Sequence, residues 1–340
     1  MELNEIKKKL HTTDYDFLRT DTKLGENVIL LGLGGSHAYG TSTPNSDIDI
    51  RGIALNSKQE ILLGKDFEQR INKATDTVIH SVKKMINMLA EGNPNTIEIL
   101  GLKPEHYLYV NPVGRKILDN RKLFLSRKVI FTFGGYGWQQ SKLLTNRTVR
   151  TAEQDVREKH VLNSIESASR EFPKRYFSYP EDAIKLYVDK SEREDGDYEI
   201  FMDISLTHYP LRDYTNMWND MKSITKEYDK NKEKKQEPIT PEKLGKTMMH
   251  HIRAYDMVLD ILEKEEVVTY REKEHDLYMR LRDKEFLDSN NQPTSEYWDL
   301  VREKEEAFEY AKKHTNLPER PDMDKIDALL TEINEMVVKA

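Results

Sequence analysis

The apolar run Val28-Ile29-Leu30-Leu31-Gly32-Leu33 ends abruptly at Gly34-Gly35-Ser36, and Asp47-Ile48-Asp49 follows after one short loop. A continuous apolar stretch bounded by Gly25 and by consecutive glycines reads as a buried strand. A strand that gives way to Gly-Gly-Ser, and then to a helix from His37, leaves backbone N–H groups and a hydroxyl without partners. Such a turn can grip a polyphosphate, with Gly35 and Ser36 as the contacts. In the alternative, Ser36 caps the following helix, a role compatible with the first. Two familiar glycine-rich motifs are excluded. His37 sits where the dinucleotide fingerprint needs its third glycine, and no Gly-Lys-Ser/Thr follows as a P-loop requires.

Beyond the loop Thr43-Pro44-Asn45-Ser46, apolar and charged residues alternate from Asp47 to Arg51, the period of a half-buried strand. That pattern puts Asp47 and Asp49 on one face. Two close carboxylates resist joint ionisation unless a cation neutralises them. Hard oxygen ligands suit Mg²⁺ or Mn²⁺, whose other positions go to water and nucleotide phosphates. Arg51 shares the face of Asp49, where it can touch phosphate or form an ordinary ion pair. Taken alone, Asp-x-Asp can be a solvated strand face and the glycine pair a simple turn.

Gly35-Ser36, a spacer and Asp47-x-Asp49 together resemble the signature of the DNA polymerase β superfamily of nucleotidyltransferases. The whole run from Gly34 to Gly52 resembles the bacterial and phage branch of predicted nucleotidyltransferases associated with RNA-repair ligases. The segments Gly92 to Leu100, Lys246 to Arg253 and Leu317 to Asp322 resemble it too, so the likeness covers both ends of the chain and not its middle. The resemblance implies an α+β fold: a polymerase β-like domain, with a small mixed sheet and helices, followed by a mainly α-helical domain. It also implies a third carboxylate from a neighbouring strand. Asp76, beside the strand Thr77 to His80, is the first choice, and Glu98, otherwise a residue of a solvated helix face, is the second. The implied reaction moves a nucleoside monophosphate from a nucleoside triphosphate to an acceptor hydroxyl with release of pyrophosphate. An RNA 3′ end, tRNA-like, leads as acceptor. The alternatives are a protein or small-molecule acceptor, and a nucleotide-binding, antitoxin-like module with little turnover.

The chain has 340 residues, enough for two domains of roughly 100–200 residues each. The reading divides it into a catalytic domain, 1–120, and a helical nucleotide- and substrate-binding domain, 121–340. With no cysteine, disulfides, thiol catalysis and Cys-ligated zinc are excluded. A formal charge of −7 argues against a general affinity for nucleic acid, which leaves a local basic groove as the route to RNA. No apolar run approaches a membrane span and the N-terminus lacks signal-peptide character, so the expected location is the cytoplasm.

Helical spacing is expected from Glu5 to Leu10, with Val82, Met85, Ile86 and Leu89 on one face of the next helix. Further helices are expected at Val129 to Leu144, Ala152 to Ser169, Glu242 to Glu263, His275 to Arg282, Ser295 to Lys313 and Asp324 to Val338. The mixed-charge stretch 226–237 reads as a solvated loop. Lys246, His250 and Arg253 recur at i, i+4 and i+7 and form one basic helix face, suited to a triphosphate or an RNA backbone, or simply to solvent. His37, at a helix start, reads as a packing or hydrogen-bonding residue, with a base as the alternative. Tyr136 and Trp138 read as core aromatics, with nucleobase stacking as the alternative.

Overall fold

A computed structural model describes residues 3–149, 183–190, 198–219, 221–222 and 240–340. The strands are β1 (Val28–Leu33), β2 (Ile50–Ala54), β3 (Gln69–Asn72), β4 (Thr77–Ser81), β5 (Tyr107–Val110), β6 (Ile184–Lys190) and β7 (Tyr198–Ile204). The helices used below are α1 (Leu3–Lys9), α2 (Gly35–Tyr39), α3 (Val82–Ala90), α4 (Pro112–Asp119), α5 (Lys128–Val149), α6 (Pro241–Lys264), α7 (His275–Arg282), α8 (Ser295–His314) and α9 (Met323–Lys339).

By contacts the chain forms two compact units, one of residues 1–142 with 241–340 and one of 143–240. The first holds a five-stranded sheet in the order β3-β4-β2-β1-β5. β1 is buried along its whole length, as its unbroken apolar run requires. It pairs antiparallel with β2 and β5, while β2 and β4 run parallel. Leu33 stands opposite Ile50, and Ile50 opposite Thr77. The end of β1 and the starts of β2 and β4 therefore meet at one margin of the sheet. The residues just outside them, Gly34, Asp49 and Asp76, are neighbours by register alone. Two backbone bonds fix this, from Gly34 N–H to Asp49 O at 2.8 Å and from Ile50 N–H to Asp76 O at 3.2 Å.

Val82, Met85, Ile86 and Leu89 of α3 enter the core, as their spacing requires, together with Ile117 and Leu118 of α4. The C-terminal α9 returns to this core through Ile326, Leu329 and Ile333 and packs against α3. α6 carries α7 and α8 on its flanks. The architecture is a mixed sheet with helices followed by mostly helical sequence. Helix and strand bounds fall close to the expected ones, but three features differ. β3, β5 and the β6–β7 hairpin were not expected. The strand expected from Asp47 begins at Ile50, so Asp47 and Asp49 lie in extended chain leading into it. The turn Thr43–Ser46 explains the delay: Thr43 N–H bonds Ser46 Oγ at 2.8 Å, and the chain needs Asp47 to Asp49 to reach the sheet.

In the second unit, β6 and β7 pair antiparallel from Ile184↔Ile204 to Lys190↔Tyr198. A small apolar cluster of Ala183, Met217 and Met221 accompanies them. The helix expected at Ala152 to Ser169 and the mixed-charge stretch 226–237 lie outside the described residues.

Candidate active site

Gly34 caps α2 without a side-chain bond, so Ser36 sits inside the helix and is not its cap. Both glycines are dictated by what approaches them. Gly35 has φ +51°, and a Cβ there would lie 1.9 Å from Asp49 Oδ2. A Cβ on Gly34 would lie 2.9 Å from Arg51 Cγ. The pair thus lets a carboxylate and a guanidinium press against the strand-to-helix turn.

Arg51 joins the acidic groups. Its Nη2 donates to Asp49 Oδ1 at 3.1 Å, and its Nη1 donates to Asp76 O at 2.7 Å and to Asp76 Oδ1 at 3.4 Å. Burial pushes the Asp49 carboxyl up to about 6, a hydrogen bond with Asp76 adds to this, and the charges of Arg51 and Lys246 oppose it. Asp49, Asp76 and Arg51 are therefore brought together. Asp47 is exposed and has no hydrogen-bond or ion-pair partner among the described residues. Among the described residues no group of three or more His, Asp or Glu side chains converges as a metal-ligand set. The Asp49–Asp76 pair nevertheless has the donor chemistry of a hard divalent cation, two neighbouring carboxylates of which one resists ionisation.

Glu98 makes no hydrogen bond to that group, and it is not on a solvated helix face. It sits in a 3-10 turn, where its carboxylate accepts from the Tyr39 hydroxyl. Burial raises its carboxyl, against the pull of Arg253. Its carbonyl accepts from Thr269 Oγ1 at 2.7 Å, and a Cβ on Gly101 would fall 1.9 Å from Val267 O, so the 98–101 turn and the 267–269 strand of chain are tightly apposed. Glu98, Arg51 and His80 also line one narrow cleft.

The stripe on α6 faces the same region. The Arg253 guanidinium lies 3.4 Å from the Tyr39 ring centroid, and its Nη1 is buried without a hydrogen-bond partner. His250 Nδ1 is buried and unpartnered as well. Burial holds the His250 imidazole well below its usual range, and the charges of Arg253, Lys246 and Arg282 add to this, so it is neutral near pH 7. Ile252, Tyr255 and Leu262 are buried on the helix's other faces. His37 is buried, as a packing residue would be, yet its Nε2 lacks a partner, as does Thr41 Oγ1. Tyr136 packs against the core, and the Trp138 side chain lies outside the described residues.

α7 supplies two groups that sequence reasoning missed. His275 Nε2 bonds Gly40 O at 3.1 Å. Arg282 donates to Thr41 O and, at 3.4 Å, to Ser46 Oγ. Together they tie down the loop between α2 and Asp49. No local pattern marks these residues, because their partners lie more than two hundred positions away.

Residues 1–165 match the family model described as the RNA repair pathway DNA polymerase beta family. The N-terminal region, a little under half of the chain, is thus similar to that family. An uncharacterized 38.9 kDa protein from the nrdC-mobD intergenic region of Enterobacteria phage T4 is 29% identical over 162 residues, or 44% of this chain. The match spans 45% of that phage protein, less than half its length. No solved structure matches the chain. The polymerase β-like match thus contains Gly34–Gly35, Asp49, Asp76 and Glu98 and ends well before α6 and α7. Among the described residues no helix is long and apolar enough to cross a membrane.

Proposed function

We propose that the protein transfers a nucleoside monophosphate from a nucleoside triphosphate to an acceptor hydroxyl, an RNA 3′ end, and releases pyrophosphate. What carries the reading is the convergence of the Gly34–Gly35 turn, Asp49 and Asp76 at one sheet margin, with Lys246, His250 and Arg253 facing it. Asp49 and Asp76, with Asp47 beside them in sequence, would hold Mg²⁺ or Mn²⁺. When bound, such an ion neutralises phosphate charge and lowers the pKa of the attacking hydroxyl. Gly35 and Ser36 would take the terminal phosphates through backbone and hydroxyl groups, and the α6 cations would offset the charge of the departing pyrophosphate. Residues 1–120 would then carry the reaction and the helical sequence of 121–340 would bind nucleotide and acceptor. The choice of RNA as acceptor rests on the family description and not on the geometry of the site.

The test is transfer of α-labelled nucleoside triphosphate to total RNA in the presence of Mg²⁺, comparing wild type with Asp49→Asn. Loss of labelling by a factor of about 10³ is expected of a group at the reacting phosphate. Equal labelling by the two would remove these carboxylates from the chemistry, and labelling of protein in place of RNA would change the acceptor. The Arg51 bridge across Asp49 and Asp76 favours a second reading, a nucleotide-binding module with little turnover. Tight nucleotide binding without labelling of any acceptor would select it.

A further inference from the structure

Arg51 occupies the place between Asp49 and Asp76 where a small cation would be most favourable. Its side chain is 26% exposed, and its guanidinium is held by four oxygens: Asp49 Oδ1, Asp76 Oδ1, Asp76 O and Ile50 O, the last at 3.1 Å. With both carboxylates ionised, the three side chains carry one net negative charge, so half of the pair's charge is already offset. The guanidinium also has somewhere else to go. Arg51 and Glu98 line the same cleft, and the Arg51 charge acts on the Glu98 carboxyl.

We infer that Arg51 is a tethered counter-cation: it fills the divalent-cation position between Asp49 and Asp76 in the free protein and must leave for that ion to bind. This rests on the reading that Asp49 and Asp76 hold a divalent cation. An incoming ion gains two carboxylates but has to break the guanidinium's bonds to both, which weakens its affinity for the protein alone. Once released, Arg51 is a free guanidinium beside the bound ion, suited to a bidentate contact with a phosphate. The nucleotide that brings the phosphate therefore favours the displaced state, and the site discriminates against metal without nucleotide.

The experiment is calorimetric titration of the full chain with MnCl₂ alone, using wild type, Arg51→Gln, Arg51→Lys, Asp49→Asn and the double variant Arg51→Gln/Asp49→Asn. Far-UV circular dichroism checks folding. Arg51→Gln is expected to bind Mn²⁺ at least tenfold more tightly than wild type, and the double variant is expected to lose that gain. Arg51→Lys keeps the charge but cannot bridge both carboxylates, so it is expected between the two and serves as the measure if Arg51→Gln does not fold. Equal or weaker binding in both Arg51 variants, with binding still abolished by Asp49→Asn, overturns the counter-cation role and leaves the metal reading intact. A gain that survives Asp49→Asn, or no binding by any variant, overturns the metal reading as well.

Discussion

α6 carries two polar clusters of opposite character. Toward its C-terminal half, Asp256 accepts from the Tyr278 hydroxyl at 2.7 Å and from Lys304 Nζ at 2.8 Å, and Asp260 pairs with Arg271 at 2.5 Å and Lys264 at 2.6 Å. Arg271 also donates to Asp256 O at 2.8 Å. Every carboxylate there has a partner, and among the described side chains only Arg271 Nε in that group lacks one. Toward its N-terminal half, Lys246 and Arg253 crowd the His250 imidazole, the Glu98 and Asp49 carboxyls feel their charge from other elements, and Arg253 Nη1 and His250 Nδ1 are buried without hydrogen-bond partners. A closed network specifies a packing arrangement, whereas an open one keeps hydrogen-bonding capacity for something that arrives. On the proposed function, the difference separates scaffold from site along a single helix.

The largest expected effect tests the closed half. Asp260→Ala leaves the buried Arg271 charge without its carboxylate and should cost about 3–5 kcal/mol of stability, read from urea denaturation. A cost below about 1 kcal/mol would mean that the network contributes little to the fold.

Next comes pH. Burial lowers the His251 imidazole to about 4, and its Nδ1 lies 2.8 Å from the Tyr297 hydroxyl. The unfolded imidazole takes a proton below about 6.5, which the folded one refuses until far lower pH. Stability should therefore be full above that point and fall on acidification toward pH 4, by roughly 3 kcal/mol. His251→Asn should flatten this slope. An unchanged slope would assign the acid sensitivity to other groups.

In the open half, Lys246→Ala combined with His250→Gln should weaken nucleoside triphosphate binding about 10- to 100-fold, measured by calorimetry, or about 1.4–3 kcal/mol. Its urea midpoint should shift by no more than about 0.5 kcal/mol equivalent. A stability loss as large as that of Asp260→Ala would erase the distinction between the halves.

Smallest is Gly35→Ala, which places a Cβ at φ +51° against Asp49 and should cost about 1–2 kcal/mol of stability. It should lower activity further by moving the Asp49 carboxylate. Wild-type stability and rate in this variant would show that the close approach is dispensable.

The sequence was most legible where a pattern is local and unbroken. β1 runs from Val28 to Leu33 as its apolar run dictates, and α7 from His275 to Arg282 as its spacing dictates. β3 and β5 are four-residue strands with exposed and partly exposed side chains, too short for alternation to speak. The acidic pair was visible, but its geometry was not. Asp49 gained its neighbours from strand register and from Lys246, nearly two hundred residues along the chain. Glu98 is legible in the sequence only as a second-choice third carboxylate or a residue of a solvated helix face, because nothing nearby in sequence announces Tyr39, Arg253 or Thr269 as its surroundings. The hairpin of β6 and β7 lies in the stretch that resembles nothing the sequence could be matched to.

The bonds from α7 to Gly40, Thr41 and Ser46, and the pressing of Val267 against Gly101, bear on how this molecule can be divided. A fragment cut where the family match ends would keep the glycine turn and Asp47, Asp49, Asp76 and Glu98. It would lose the clamps on the loop, the floor beneath the 98–101 turn, and the cations opposite Asp49. Modularity by sequence and modularity by mechanics part company here: the portion that the family model matches is not one that can be excised and keep its shape.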